Sequence, residues 1–281
     1  MNDPYSFREG IYYAPFAVEH REDEYDSRDF DLLAKMQHNH FWYRGRHRFL
    51  LHAVHRSISL CPGAQGGLNA IDLGGGCGGW ISYLMRYKRF STTEIALGDS
   101  SLRALNLASG QLPASVKFFQ IDLRNLAWCE RWDLAFLLDV LEHIAEDELV
   151  LKQIFTALRP GGLLFVTTPA LQQLWTWNDE VAGHQKRYCK ADFKQLAART
   201  GFRLVMARYF MFLLSPLLLA SRLLKRPTPN QPARELLEKM SRVPNALVNT
   251  VLTAIFGLET PLGSYLPFPW GTSILAVLQK P

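Results

Sequence analysis

Asp72, Gly74, Gly76 and Gly78 occupy alternate positions of AIDLGGGCGG, residues 70–79, where an apolar run ends in an acid and then in glycines. Glycines let backbone N–H groups come close to a ligand, and a helix starting behind them points its N-terminus at it. Such a loop makes a small-molecule pocket, suited to a nucleotide-like cofactor. Two spacings are met at once. Gly74, Gly76 and Gly79 fit the dinucleotide pattern G-x-G-x-x-G, which is weak alone, and Asp72, Gly74, Gly76 and Gly78 fit D-x-G-x-G-x-G.

Electrostatics separates the two. A pyrophosphate disfavours a carboxylate at the strand end, whereas S-adenosylmethionine carries a sulfonium and an ammonium and no phosphate. Three more apolar runs, 94–98, 116–121 and 132–138, lead into Asp99, Asp122 and Asp139. Acids at successive strand ends, where open α/β sheets bind ligands, suit a cationic cofactor.

Methyl transfer from a sulfonium is an in-line displacement, so the protein mainly aligns the acceptor and excludes water. A base is needed only where the attacking atom must lose a proton. His143 and His184 are the candidates, with Glu142 and Asp139 close by. DVLEH, residues 139–143, puts Asp139, Glu142 and His143 on one face if a helix starts there. The segment LQQLWTWNDEVAGHQKRY, residues 171–188, is aromatic and polar without regular period. As a loop at the carboxyl edge it offers Trp175, Trp177, His184, Lys186, Arg187 and Tyr188 to the acceptor. Lys186 and Arg187 suit an anionic acceptor group, while ordinary loop packing explains the tryptophans nearly as well. Upstream, HFWYRGRHR gathers His40, Trp42, Arg44 and Arg46. It reads either as a solvated basic helix anchored by Trp42, or as a cover in which an arginine such as Arg46 binds the cofactor carboxylate while Trp42 closes the pocket.

The elements that must position these groups alternate strand and helix, the signature of a doubly wound parallel sheet. Helices are expected over 79–87, 102–109, 144–158 and 191–200, strands over 163–168 and 202–210, and a final antiparallel strand over 272–279. The expected fold class is α/β, a Rossmann-like doubly wound seven-stranded sheet, mostly parallel, with an N-terminal helical cap and a helical insertion between the last two strands. Residues 1–60 form an arm and cap, 61–210 the cofactor-binding core, 211–271 the insertion and 272–281 the last strand. Within the cap, residues 1–28 read as a partly ordered arm, and 29–60 as two helices broken near Gly45.

With 281 residues, 48% hydrophobic and 20% charged, the chain builds a full-sized core, and its net charge of +5 is mildly basic. Four scattered cysteines with no C-x-x-C pair, and a charged N-terminus, point to reduced thiols and a cytoplasmic setting. No uninterrupted apolar run reaches membrane-spanning length, about 18 residues. The insertion holds MFLLSPLLLASRLLKR, a linker with Pro227, Pro229 and Pro232, a mixed-charge helix over 233–241 and an apolar helix over 246–258. It packs on the core, forms a homodimer contact, or dips into an anionic headgroup layer beside Arg222, Lys225 and Arg226.

Four ordered motifs, IDLGGGCGG, GDSSLRAL, WDLAFLLDVLEHI and LRPGGLLFVTTP, give the chain a resemblance to class I S-adenosylmethionine-dependent methyltransferases, in the group with ubiquinone-biosynthesis O-methyltransferases. The resemblance spans about residues 41–279. It implies that Gly74, Gly76 and Gly78 cradle the methionine part, that Asp99 meets the ribose, that Asp122 and Leu123 contact the adenine, and that Ser100 is a further cofactor-binding residue. Related enzymes carry a similar H-x-W-x-R segment, which favours the cofactor role for Arg46 and Trp42. Cys77 stands where small residues are usual, and it fits sterically. Some O-methyltransferases of this fold hold a divalent metal through E-x-x-E-H, one change from D-x-x-E-H here, with His184 as a further donor. The plainer reading assigns no metal, with Glu142 and His143 capping and orienting the helix. The acceptor implied is a small-molecule or lipid-linked biosynthetic intermediate, most readily methylated on oxygen. Neither DNA nor RNA is expected, because no N-P-P-Y-type motif follows the fourth strand and the basic residues do not interleave with aromatics. A nucleic-acid 2′-O-methyltransferase with metal assistance and a catalytically silent scaffold are the alternatives.

Overall fold

The computed structural model describes residues 4–21, 29–64, 66–224 and 242–281. Its centre is the sheet. Strands β3 (Leu68–Leu73), β4 (Thr92–Asp99), β5 (Val116–Gln120), β6 (Trp132–Leu138) and β7 (Leu158–Pro169) run parallel in the order β5-β4-β3-β6-β7. β9 (Ser273–Gln279) inserts antiparallel between β7 and β8 (Arg203–Phe210). Nearly every residue of β3, β6 and β9 is buried, as expected for strands covered on both faces.

Period-two alternation sends neighbouring residues to two separate layers. Ile71, Ala135, Leu137 and Val166 face α5 (Asp147–Ala157) and α7 (Lys190–Thr200), where Leu151, Ile154 and Phe193 are fully buried. Ala70, Leu134, Phe136 and Phe165 face α2 (Phe41–Ser57), α3 (Gly79–Tyr87) and α4 (Leu102–Ser109) through Leu50, Val54, Trp80 and Leu84. The result is a three-layer sandwich whose strands β3, β4 and β6 end at one edge.

Among the described residues the sheet has nine strands, not seven. The expected arm contains β1 (Ser6–Arg8) and β2 (Ile11–Tyr13), a hairpin whose β2 extends the sheet parallel to β5. Its two-residue turn places both Glu9 and Gly10 at positive φ, 48° and 84°, the twist-matched geometry of tight hairpins. Tyr5 stacks on Trp128 at 4.5 Å, so the hairpin covers what would otherwise be an open edge.

The cap also differs from expectation. Its helices α1 (Phe30–Met36) and α2 are separated at residues 37–40, and Gly45 lies inside α2. Gly45 is a packing glycine: a Cβ there would fall within the ring of Phe256. Phe256 belongs to α9 (Ala246–Tyr265), which follows α8 (Ser215–Leu224) and packs along α2. α9 runs past Pro261 and well beyond the expected 246–258. Among the described residues it is the one helix long and apolar enough to cross a membrane, an 18-residue stretch that the uninterrupted-run criterion overlooked. The mixed-charge helix over 233–241, the prolines 227, 229 and 232, Lys225, Arg226 and the side chain of Arg222 lie outside the described residues. The segment read as an irregular loop contains a short helix, α6 (Trp177–Val181), and DVLEH ends in a 3-10 turn, Leu141–His143, rather than starting a helix.

Candidate active site

β3 stops at Leu73 because the next turns need conformations that side chains resist. Gly74, Gly76 and Gly78 have φ of 68°, 55° and 80°. Glycine adopts these at no steric cost, and Gly78 places the N-terminus of α3 behind the loop. A Cβ on Gly74 would press on Val140 at 2.8 Å and one on Gly76 would approach Leu33 at 3.0 Å, so the backbone itself must form the wall. α1 lies over this loop: Gln37 Oε1 accepts from Gly79 N–H at 2.9 Å, and the Cys77 thiol donates to Phe30 O at 3.3 Å. Burial pushes that thiol up to about 12, so Cys77 stays a neutral filler.

The strand ends gather carboxylates. Asp99, at the end of β4, accepts from Gly76 N–H and Ser101 N–H, both at 2.9 Å. Burial raises its pKa, and those two amides hold it back. Its neighbour Ser100 meets His20 Nδ1 at 2.8 Å. Asp72 is 2% exposed, and its Oδ1 is buried with no hydrogen-bond partner. Burial raises its pKa to about 8, Arg46 opposing and Asp99 reinforcing the shift. Asp122 caps its own turn through Arg124 N–H at 2.9 Å, beside the buried Leu123. Asp139 follows β6 at a φ of 56° and is ion-paired with Arg46.

Arg46 reaches the site from α2, its side chain 5% exposed, with Trp42 and Tyr43 flanking the guanidinium at 4.9 and 5.0 Å and His47 Nε2 accepting from it at 3.0 Å. Arg46 and Trp42 therefore stand at the strand ends, with the arginine held to Asp139.

Beyond Asp139 lies a second cluster. Glu142 is 1% exposed with Oε2 unpartnered, and burial, then the charge of Asp139, raise its pKa well above the usual range. His143 and His184 meet edge to face at 4.9 Å. One donor atom from each of Glu142, His143 and His184 lies within 4.8 Å of the others. Asp179 orients this group: it accepts from His184 Nδ1 at 2.9 Å and from Arg187 Nε and Nη2 at 2.7 and 3.0 Å. It also closes the capping box of α6 on Thr176 N–H at 2.8 Å. With Nδ1 donating to Asp179, His184 Nε2 is left as the basic nitrogen.

The acceptor-side candidates separate. Trp175 and Trp177 are half-buried on the loop and Lys186 bridges Asp147 and Asp192 at 3.6 and 3.7 Å. Arg187 and Tyr188 face inward: Arg187 also donates to Ala170 O at 3.0 Å, and the Tyr188 hydroxyl donates to Asp147 at 3.1 Å. These two hold the loop in place. Asp179, Gln37 and His20 were missed by sequence reasoning. T-W-N-D at 176–179 is a helix-start pattern that could have revealed Asp179, whereas Gln37 and His20 carry no local signal.

The donor set fits S-adenosylmethionine. Asp99 and Asp139 stand at the strand ends, the buried Asp72 can ionise to meet a cation through its orphaned Oδ1, and the bare glycine backbone admits a close ligand.

Comparison with known proteins agrees. A family profile described as a methyltransferase domain matches residues 36–207. Ubiquinone biosynthesis O-methyltransferases of Pseudomonas savastanoi pv. phaseolicola and Pseudomonas fluorescens Pf0-1 are 29% and 30% identical over 104 residues, 36% of this chain and 44% of theirs. The match thus spans less than half the length of those relatives. The fold is shared with the 4+2 cyclase SpnF (TM-score 0.57, 17% identity, 92% of this chain and 93% of that one). It is shared also with the CurJ carbon methyltransferase (0.56, 13%, 91% and 59%) and an S-adenosylmethionine-dependent methyltransferase from Mesorhizobium loti (0.50, 16%, 80% and 95%). A cyclase among these shows why the fold alone does not define the reaction. With a family match over more than half of its length, this chain belongs to the methyltransferase domain family.

Proposed function

We propose that the enzyme methylates a hydroxyl oxygen of a small-molecule or lipid-linked biosynthetic intermediate in the cytoplasm. Bound S-adenosylmethionine supplies an electrophilic methyl group on a sulfonium. The glycine loop and Asp99 hold that cofactor, and Asp72 and Asp139 favour its positive charges. The observation that carries the oxygen assignment is the Asp179–His184 contact, which fixes one imidazole tautomer beside Glu142 and His143 and leaves Nε2 to take the acceptor's proton. Trp175 and Trp177 wall the acceptor side. Distant likeness to ubiquinone biosynthesis O-methyltransferases supports an aromatic hydroxyl as the first acceptor class to try. Free cysteines throughout support a reducing compartment.

The test is methyl transfer from labelled S-adenosylmethionine to a panel of catechols, phenols and aliphatic alcohols. His184→Ala should lower turnover by about a hundredfold or more and leave cofactor affinity intact. Transfer to amines but not to any hydroxyl would reject the oxygen assignment.

A second reading adds a divalent metal at Glu142, His143 and His184. The unpartnered Glu142 Oε2 favours it, and Asp179 behind His184 is the kind of carboxylate that orients a ligating imidazole. Two imidazoles and a carboxylate suit zinc better than magnesium. These three residues would hold the ion, which would acidify an acceptor hydroxyl bound to it. Metal analysis of the purified protein decides: activity in excess EDTA equal to that of untreated enzyme removes the metal.

A further inference from the structure

One amide joins the helical insertion to the cover of the glycine loop. Asn249, in the first turn of α9 and 9% exposed, accepts from Phe41 N–H through Oδ1 at 2.9 Å and donates from Nδ2 to Asn39 O at 2.8 Å. Only this orientation of the amide pairs both groups, since the reverse would set donor against donor and acceptor against acceptor. Phe41 opens α2, so its N–H is among those that a helix cannot satisfy internally. The next one, of Trp42, is taken by His40 Nδ1 at 3.2 Å. Asn249 therefore ties down both sides of the elbow at residues 37–40, where α1 has ended and α2 has yet to begin.

The support is itself braced. Thr253 Oγ1 donates to Asn249 O at 2.7 Å, and further along α9 the buried Glu259 accepts from the Phe212 and Leu213 amides, both at 3.0 Å. Those two amides follow β8, so α9 is held to the sheet at one point and to the elbow at another. Between these points Phe256 packs on Gly45 of α2.

Each arm of the elbow carries one contact to the site. On the α1 side Gln37 Oε1 accepts from Gly79 N–H at 2.9 Å, and the approach is close enough that a Cβ on Gly79 would stand 2.6 Å from that of Gln37. On the α2 side Arg46 pairs with Asp139. A hydrogen bond is gone once its heavy atoms are about 3.6 Å apart, so a shift of the elbow by about 0.7 Å is enough to lift Gln37 off Gly79.

We propose that Asn249 is a positioning residue: by bridging Asn39 O and Phe41 N–H it sets the elbow that seats Gln37 on the glycine loop and Arg46 at the strand ends, and so makes cofactor affinity depend on the insertion. The affinity part rests on the S-adenosylmethionine reading of that loop, whereas the elbow itself does not.

Asn249→Leu keeps most of the volume and removes both bonds. It should weaken S-adenosylmethionine in calorimetric titration by about tenfold, the scale of one lost hydrogen bond. Asn249→Asp, which keeps an acceptor for Phe41 N–H, should fall between it and the wild type. The two losses should not add: in a Gln37→Ala background Asn249→Leu should cost about threefold or less. A merely structural asparagine would lower the melting temperature with affinity unchanged, or with losses that add, and either result overturns the proposal. Residue-resolved hydrogen exchange on the unsubstituted full chain tests the elbow with no variant and no ligand. The Phe41 and Gly79 amides should be protected to a similar degree, because one opening exposes both. A Gly79 amide that exchanges freely while that of Phe41 stays protected would overturn the proposal even where Asn249→Leu failed to fold. Matched protection in a chain that binds no S-adenosylmethionine would leave the elbow standing and count against the cofactor reading.

Discussion

Replacing Asp179 by Asn should damage the enzyme in two separable ways. Asp179 is fully buried and takes hydrogen bonds from His184, Arg187 and the Thr176 amide. Burial works to raise its pKa, but the His184 and Arg187 hydrogen bonds, the Arg187 charge and the Thr176 amide outweigh it and hold the carboxyl well below the usual range. Asparagine keeps the shape and one acceptor but leaves the Arg187 guanidinium, 3% exposed, without a countercharge. Breaking one side of a buried pair costs about 3–5 kcal/mol, and the isosteric replacement belongs at the lower end, about 3. For a domain of this size that lowers the melting temperature by roughly 6–12 °C. The His184 tautomer is no longer fixed, so turnover should fall by about a hundredfold while cofactor affinity holds, because Asp179 does not touch the glycine loop. The pH dependence has a sign. The native pKa lies below the unfolded value of about 3.9, so the wild-type advantage is complete above that pH and is lost only as pH falls through the native value. Differential scanning calorimetry from pH 7 down to pH 3 would show a full gap between the two proteins at neutral pH, narrowing only in acid. An unchanged turnover number together with an unchanged melting temperature would refute the positioning role.

Asp99→Ala should weaken S-adenosylmethionine by about 1–3 kcal/mol, read by titration calorimetry, because it leaves a polar partner unsatisfied in a buried site. Asp72, with a folded pKa near 8 against an unfolded value of 3.8, should be protonated in the free enzyme at neutral pH. A cationic ligand favours its ionised form, so binding should release protons and tighten as pH rises toward 8, and Asp72→Asn should flatten that dependence; it follows too that this residue's contribution to stability declines between about pH 4 and 8. Gly45→Val should separate α2 from α9, with a loss of at least about 1–3 kcal/mol by denaturant titration, since the new side chain meets the Phe256 ring.

The parts of this protein that sequence made legible are those where a residue type has one physical use. Positive φ at Gly74, Gly76 and Gly78 admits little but glycine, and carboxylates after buried strands are too costly to be incidental, so the loop and the order of β3 to β7 could be read directly. The hairpin β1–β2 could not: two three-residue strands carry no periodicity, and only Glu9-Gly10 hints at the turn. Gly45 misled because a glycine that breaks a helix and one that admits a neighbouring ring look alike until the neighbour, 211 residues away, is known. His184 was recognisable as a candidate, but its pairing with Asp179 depends on the fold of α6, and its approach to His143 depends on two strand ends being adjacent. The bridge made by Asn249 was concealed because its partners, Phe41 and Asn39, lie 208 and 210 residues back along the chain.

The most direct measurement is calorimetric titration of the purified chain with S-adenosylmethionine and, separately, with NADH. The acid-lined glycine loop predicts one S-adenosylmethionine site per chain with a dissociation constant in the micromolar range, about 1–100 μM, together with loss of affinity in Asp99→Ala and no heat from NADH. Saturable binding of NADH with none of S-adenosylmethionine would contradict the cofactor assignment at its root.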